Sequence, residues 1–176
     1  PTPAQFELAG NDSQGGVTAA GVRYLDLPPD LPGIIGGMAR EATAAATGDY
    51  GRAVALQEFF RNGAFDYSET APVDNGYDAN GMTAIAQFLV AGSGYCIHFA
   101  SAMAVMARTL GIPSRVAVGL LPGEKLADAA QGPHVYRVTT QDVHTWPELY
   151  FDGIGWTRFE PTPGRGFVPH YADEAT

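Results

Sequence analysis

The hydrophobic positions divide this chain into a helical first half and a stranded second half. Behind Pro32, the residues Ile34, Ile35, Met38, Ala39, Ala42 and Ala45 recur at helical spacing towards Gly48, which predicts an alanine-rich helix. A second helix is predicted with Asp49 as its N-cap, Val54, Leu56, Phe59 and Phe60 among its apolar positions and Gly63 as its stop. A short third helix is predicted from Met82 to Val90. Cys96 to Leu110 is apolar almost all round, the pattern of a helix in the core, and it stops at Gly111 with Pro113 just beyond. From Ser114 to Leu121 the period changes to two, with Val116, Val118 and Leu120 set against smaller residues. Further strands are expected at His134 to Thr140, Val143 to Phe151 and Trp156 to Glu160. Helices followed by a run of strands predict an α+β domain in which an antiparallel sheet packs on the central helix.

Two stretches lack such periods. Residues 1–29 carry Gly, Pro, Asn, Asp and Ser around one apolar segment, Val22 to Leu27, and read as an extended arm laid over the domain. Phe65 to Met82 sets Tyr67 and Tyr77 among Asp, Glu, Ser, Asn and Gly, and reads as a surface loop of a length often tied to function.

Composition narrows the class. A chain of 176 residues, 45% hydrophobic, fits one domain with a single core, here 1–176 with a helical part over 30–91. The net charge is −9 and the ten Lys and Arg are scattered, so no basic stripe invites nucleic acid. The longest apolar runs, such as Ala84 to Ala91, fall far short of the roughly 20 residues that cross a bilayer. Any membrane attachment is therefore expected through segments outside these residues. The ends, Pro1-Thr2-Pro3 and Ala172 to Thr176, read as those of a domain cut from something longer.

The single cysteine turns attention to its own chemistry. Cys96 lies in Gly94-Tyr95-Cys96-Ile97-His98-Phe99-Ala100, where a glycine-rich loop runs into the core helix. A thiol in the first turn sits beside unpaired N–H groups and the positive end of the helix dipole, and both favour thiolate. The bland alternative is an inert small hydrophobe. A base is available on the strand from 143 to 151, whose period of two puts His144, Trp146, Glu148 and Tyr150 on a polar face. Val143, Thr145, Leu149 and Phe151 form the opposite, core face.

The turn Asp152-Gly153-Ile154-Gly155 makes residues 143–160 a hairpin, so register decides whether a carboxylate can join them. Paired residue numbers summing to 304 set His144 opposite Glu160; a sum of 306 makes the two diagonal neighbours on one face and sets Glu148 against Arg158. An odd sum sends Glu160 to the other face. Asp142, on the same face as His144, is the alternative carboxylate. His98 does not face Cys96 on a helix and reads as a packing or rim residue. Cys96, His98, His134 and His144 lack the paired spacing of a zinc site, so no metal is expected, and Gly92-Ser93-Gly94 is too short for a phosphate loop.

Gly94 to Ala102, then Leu110-Gly111-Ile112-Pro113-Ser114-Arg115-Val116, then Asp142-Val143-His144-Thr145-Trp146-Pro147-Glu148-Leu149-Tyr150, then Gly155-Trp156 through Glu160-Pro161-Thr162-Pro163, together resemble the bacterial transglutaminase-like superfamily. The match spans about residues 92–164, the expected catalytic core, and Phe65-Asp66-Tyr67-Ser68 resembles the family more loosely. The resemblance implies a papain-like core in which Cys96 is the nucleophile, His144 the base and Glu160 the orienting carboxylate, where the family usually has Asp. Tyr95, Asp142 and Trp146 are implied as supporting residues. Pro147 stands where the family often has a branched apolar residue, and its missing N–H predicts an edge or bulge on that side of the strand. The implied reaction is acyl transfer or hydrolysis at peptide-type amides, with a peptide or protein as substrate and no cofactor. The implied setting is an extracytoplasmic domain of a membrane-anchored protein. The alternative from a different class is a noncatalytic binding module whose acidic loop at 65–82 contacts a partner.

Overall fold

A computed structural model describes residues 1–2, 4–6, 23–74, 76, 81–126 and 134–173; the greater part of the N-terminal arm and Tyr77 of the acidic loop lie outside them. Helix α1 spans Gly33–Ala42 and α2 spans Gly48–Arg61. The alanine spacing behind Pro32 therefore overshoots. Thr43 ends α1 because its hydroxyl donates back to the Ala39 carbonyl at 2.8 Å, and a turn separates the two helices. Asp49 falls in the first turn of α2 rather than at its N-cap, which is Thr47. The acidic stretch after α2 contains a two-residue strand β1 (Asp66–Tyr67) and one helical turn, α3 (Ala71–Asp74), where the sequence reads only as loop.

Helix α4 (Met82–Ala91) leads through β2 (Ser93–Gly94) into α5 (Cys96–Thr109). The end of α5 closes with Ile112 N–H on the Ala107 carbonyl and Gly111 N–H on that of Arg108, and Gly111 takes φ +84° to do it. Three strands, β3 (Ser114–Leu120), β6 (Val143–Phe151) and β7 (Gly155–Arg158), form an antiparallel sheet in the order β3-β6-β7. Two further two-residue strands, β4 (Glu124–Lys125) and β5 (Tyr136–Arg137), pair with each other. The strand expected over His134 to Thr140 shrinks to β5 because Thr140–Asp142 turns into a 3-10 helix, and β7 ends two residues before Glu160.

The core lies between α5 and the helices on one side and the sheet on the other. Phe60, Phe65, Phe88 and Phe99 pack ring on ring, with centroids 4.9–6.2 Å apart, and tie α2 and α4 to the start of α5. Each fully buried ring of this kind is worth roughly 1.5–3 kcal/mol of apolar transfer. Ser114 Oγ donates to the Ala104 carbonyl at 2.6 Å, fixing the even-numbered face of β3 towards α5. Leu149 and Phe151 are buried on that same face, as expected, but Val143 is exposed: it pairs with Leu120 at the end of the sheet that the helix leaves uncovered.

Candidate active site

Cys96 is placed by the two residues before it. Gly94 pairs with Tyr67 across the parallel β1–β2 contact, and a Cβ on Gly94 would meet the Phe88 ring at 3.0 Å, so the close approach requires glycine. Tyr95 is the N-cap, in extended backbone conformation, and its N–H reaches His98 Nδ1 at 3.5 Å. His98 is buried between the rings of Phe88 and Tyr95, the packing role read from its position. Cys96 is then the first residue of α5 and half-buried, beside N–H groups that have no acceptor within the helix. The dipole of α5 adds positive potential at the same point.

Across the sheet, β6 brings His144 to the sulfur. The paired residue numbers of β6 and β7 sum to 306, with Glu148 opposite Arg158 and Asp152, Gly153 and Ile154 left as the loop. His144 and Glu160 are thus diagonal neighbours. Their side chains meet with His144 Nε2 and Glu160 Oε2 2.8 Å apart, both 0% exposed. The histidine is consequently not on an open polar face; the segment after β7 folds over it. With Nε2 occupied by the carboxylate, the nitrogen left for sulfur is Nδ1, which is buried and has no conventional hydrogen-bond partner. His144 and Thr145 both act on the Cys96 thiol, and Thr145 is a neighbour the sequence does not single out because it looks like an ordinary core position.

The two titrations are coupled. Burial pushes the Cys96 thiol up, but His144 and the Thr145 hydroxyl and backbone outweigh it and leave the thiol below its usual value. Burial pulls His144 down, yet Cys96 and Glu160, by their proximity and charge, raise it to about 9. Both shifts favour the thiolate–imidazolium pair over the neutral thiol and imidazole.

Glu160 is held on every side. Arg158 Nη2 donates to Oε2 at 3.0 Å, Thr162 N–H to Oε1 at 3.2 Å, and the Gln57 side chain accepts the Glu160 N–H at 3.0 Å. Arg61 donates to the carbonyls of Glu160 and Thr162. Gly166 makes room for the carboxylate, since a Cβ there would lie 2.1 Å from Oε2. Gln57, Arg61, Arg158 and Gly166 were not read from the sequence as site residues. A fully buried glutamine on the apolar face of α2 was the available signal, and so was an arginine two residues before the carboxylate on the same strand face. Asp142 is not brought to His144: its carboxylate accepts from Thr139 N–H at 2.7 Å and from the Thr139 hydroxyl. Trp146 lies beside the pair with its ring centroid 6.3 Å from His144 and the Arg158 guanidinium 4.4 Å from its own centroid.

Pro147 explains why Glu160 is free to reach across. Tyr150 N–H bonds to the Pro113 carbonyl and Phe159 N–H to that of Pro147, so even-numbered residues of β6 face β3 and odd-numbered ones face β7. The missing proline N–H is therefore on the β7 side, where the ladder ends at Glu148–Arg158. β6 is central by position, but before Pro147 it has no strand partner on its β7 side, which the segment after β7 covers instead.

No group of three or more His, Cys, Asp or Glu side chains among the described residues is arranged to hold a metal ion. The family model of the transglutaminase-like superfamily matches residues 36–161. YebA of Bacillus subtilis (strain 168), an uncharacterized protein, is 35% identical over 143 residues, 81% of this chain and 19% of its own length. A protein-glutamine gamma-glutamyltransferase of Pseudomonas aeruginosa is 35% identical over 109 residues, 61% of this chain and 15% of its own length. The chain thus spans less than a fifth of the curated relatives it matches. Among solved structures, the periplasmic domain of TgpA from Pseudomonas aeruginosa, bound to ethylmercury, superposes with a TM-score of 0.64 at 31% identity, over 79% of this chain and 47% of that one. A structure from Cytophaga hutchinsonii, 20% identical, shares the fold with a TM-score of 0.58 over 82% of this chain and 42% of its own.

Proposed function

Since the chain belongs to the transglutaminase-like superfamily, we propose that it is a thiol-dependent acyl transferase or hydrolase acting on peptide-type amides through a thioester on Cys96. One observation carries this reading: the buried His144 Nε2–Glu160 Oε2 contact at 2.8 Å, on a histidine that the Cys96 thiol also acts on. Cys96 thiolate attacks the amide carbonyl carbon, forming C–S, while opening N–H groups of α5 receive the oxyanion. Collapse breaks C–N as the His144 imidazolium gives its proton to the departing amine. An amine or water then attacks the thioester, His144 takes a proton from it, and C–S breaks to return the thiolate. Glu160 keeps the ring oriented and its charge stabilises the imidazolium.

The name of the Pseudomonas relative, a glutaminyl acyl transferase, supports a glutamine side chain as acyl donor here. The TgpA match supports a domain outside the cytoplasm, belonging to a longer membrane-anchored protein; no described helix is itself long and apolar enough to cross a membrane. Timed alkylation with labelled iodoacetamide tests the site. Cys96 is expected to react at neutral pH at least ten-fold faster than a free thiol, and His144→Ala should remove that advantage. Equal rates in both proteins, no faster than a free thiol, would sink the proposal.

A further inference from the structure

The face of β3 beside the thiol is apolar, open and already used as a pairing edge. Val116, Val118 and Leu120 are 40%, 68% and 59% exposed, although they lie on the side of the sheet that faces α5. Val118 pairs with Thr145, which acts on the Cys96 thiol, so this surface lies beside the nucleophile. It continues into a groove of about 420 Å³ between α4, α5 and β3, lined by Met82, Ile85, Ile97, Ser101, Val105 and Val116. Ile97, next to Cys96, is 43% exposed at its mouth.

Backbone direction adds a second observation. β3 is the last strand of its sheet, and its odd-numbered neighbours Pro113 and Leu121 bond to β6, which turns the N–H and C=O groups of Val116, Val118 and Leu120 outward. At the next even position, Ser114, that outward N–H already bonds to the Tyr24 carbonyl at 3.1 Å. The edge therefore accepts an extended segment of polypeptide where one reaches it. Arg108, the charged residue of the groove, is engaged with Asp26 and Ser114, which leaves Val, Leu and Ile side chains to meet an occupant.

We propose that the outer edge of β3 from Val116 to Leu120, with the adjoining groove, is the acyl-donor subsite: it pairs with an extended peptide stretch carrying apolar side chains at alternate positions. Only a backbone offers donors and acceptors at the strand repeat, and only alternating apolar side chains match the Val116-Val118-Leu120 row. A lipid surface would leave the edge groups unpaired, and a sugar would match neither the strand repeat of those groups nor the apolar row beside them. The assignment rests on the reading of Cys96 as nucleophile only for its name as an acyl-donor site; the binding itself does not.

The test separates the two. Fluorescence anisotropy on the thiol-free Cys96→Ala protein measures binding of a labelled seven-residue peptide alternating valine and threonine around one glutamine, with a match in which serine replaces each valine. Saturable binding of the valine peptide is expected, weakened about ten-fold by V118K, as loss of one buried valine contact implies. V90K, at an exposed valine of α4, should leave it unchanged. Absence of binding, equal binding of the serine peptide, or equal weakening by V90K overturns the proposal. So does a Val118-dependent dimer on sedimentation, or Val118-dependent binding to phosphatidylcholine vesicles, in place of peptide binding. Peptide binding to Cys96→Ala together with no peptide turnover by the wild-type protein would instead count against the catalytic reading alone.

Discussion

Thiolate and imidazolium at this site are two ends of one equilibrium, so pH separates two measurements that a lone thiol would keep together. Alkylation needs only thiolate; acylation also needs the proton on His144. As pH falls through the lowered Cys96 range both rates should drop. As pH rises through about 9 the imidazolium is lost, and acylation should fall while alkylation stays high. Glu160→Gln removes an anion that raises His144, so the alkaline limb of acylation should move to lower pH, with the rate above neutrality reduced on the order of 100-fold. An unchanged alkaline limb in that variant would mean that Glu160 does not hold the ring. At this scale Cys96 and His144 were legible as candidates because a helix start and a period of two can be read without coordinates, whereas Glu160 depended on a register that the residues left open and on the family resemblance. Thr145, Gln57 and Gly166 were not, because each owes its place to a contact between distant segments: Gln57 to the backbone of Glu160, Gly166 to the carboxylate that lies against it.

Among the elements, α5 and β6 carry the site and both were legible, one as an unbroken apolar run and the other as an alternation. Their junction depends on the aromatic cluster under the start of α5. Phe99→Ala opens a cavity there, and urea unfolding should show a loss of about 3–5 kcal/mol; a change below about 1 kcal/mol would mean that the cluster does not hold the helix start. Less legible were elements decided by a few hydrogen bonds. The β1–β2 contact spans two residues on each side, too short to leave a period, yet it aligns Gly94 and so Cys96. The end of α1 was missed because alanine continues the helical spacing past the point where the Thr43 hydroxyl closes it. In β3 the alternation was right but its usual meaning was not: the apolar row faces the helix side and still remains open, because α5 does not extend over it.

For the molecule as a whole, the sequence and the fold converge on a transglutaminase-like domain with an α+β core and its thiol where helix, sheet and the segment after β7 meet. The apolar surface beside the thiol is the approach proposed for a peptide, and the net charge of −9 is compatible with it. The acyl donor and acceptor were not legible, since a thioester is indifferent to whether amine or water resolves it. The most direct measurement of the proposed chemistry is the intact mass of the protein after mixing with a glutamine peptide, with and without an added primary amine. A thioester adduct on Cys96 is predicted, absent in Cys96→Ala and discharged faster when the amine is present if the domain is a transferase. Turnover of the peptide with no adduct on Cys96, or an adduct that survives Cys96→Ala, would contradict the account.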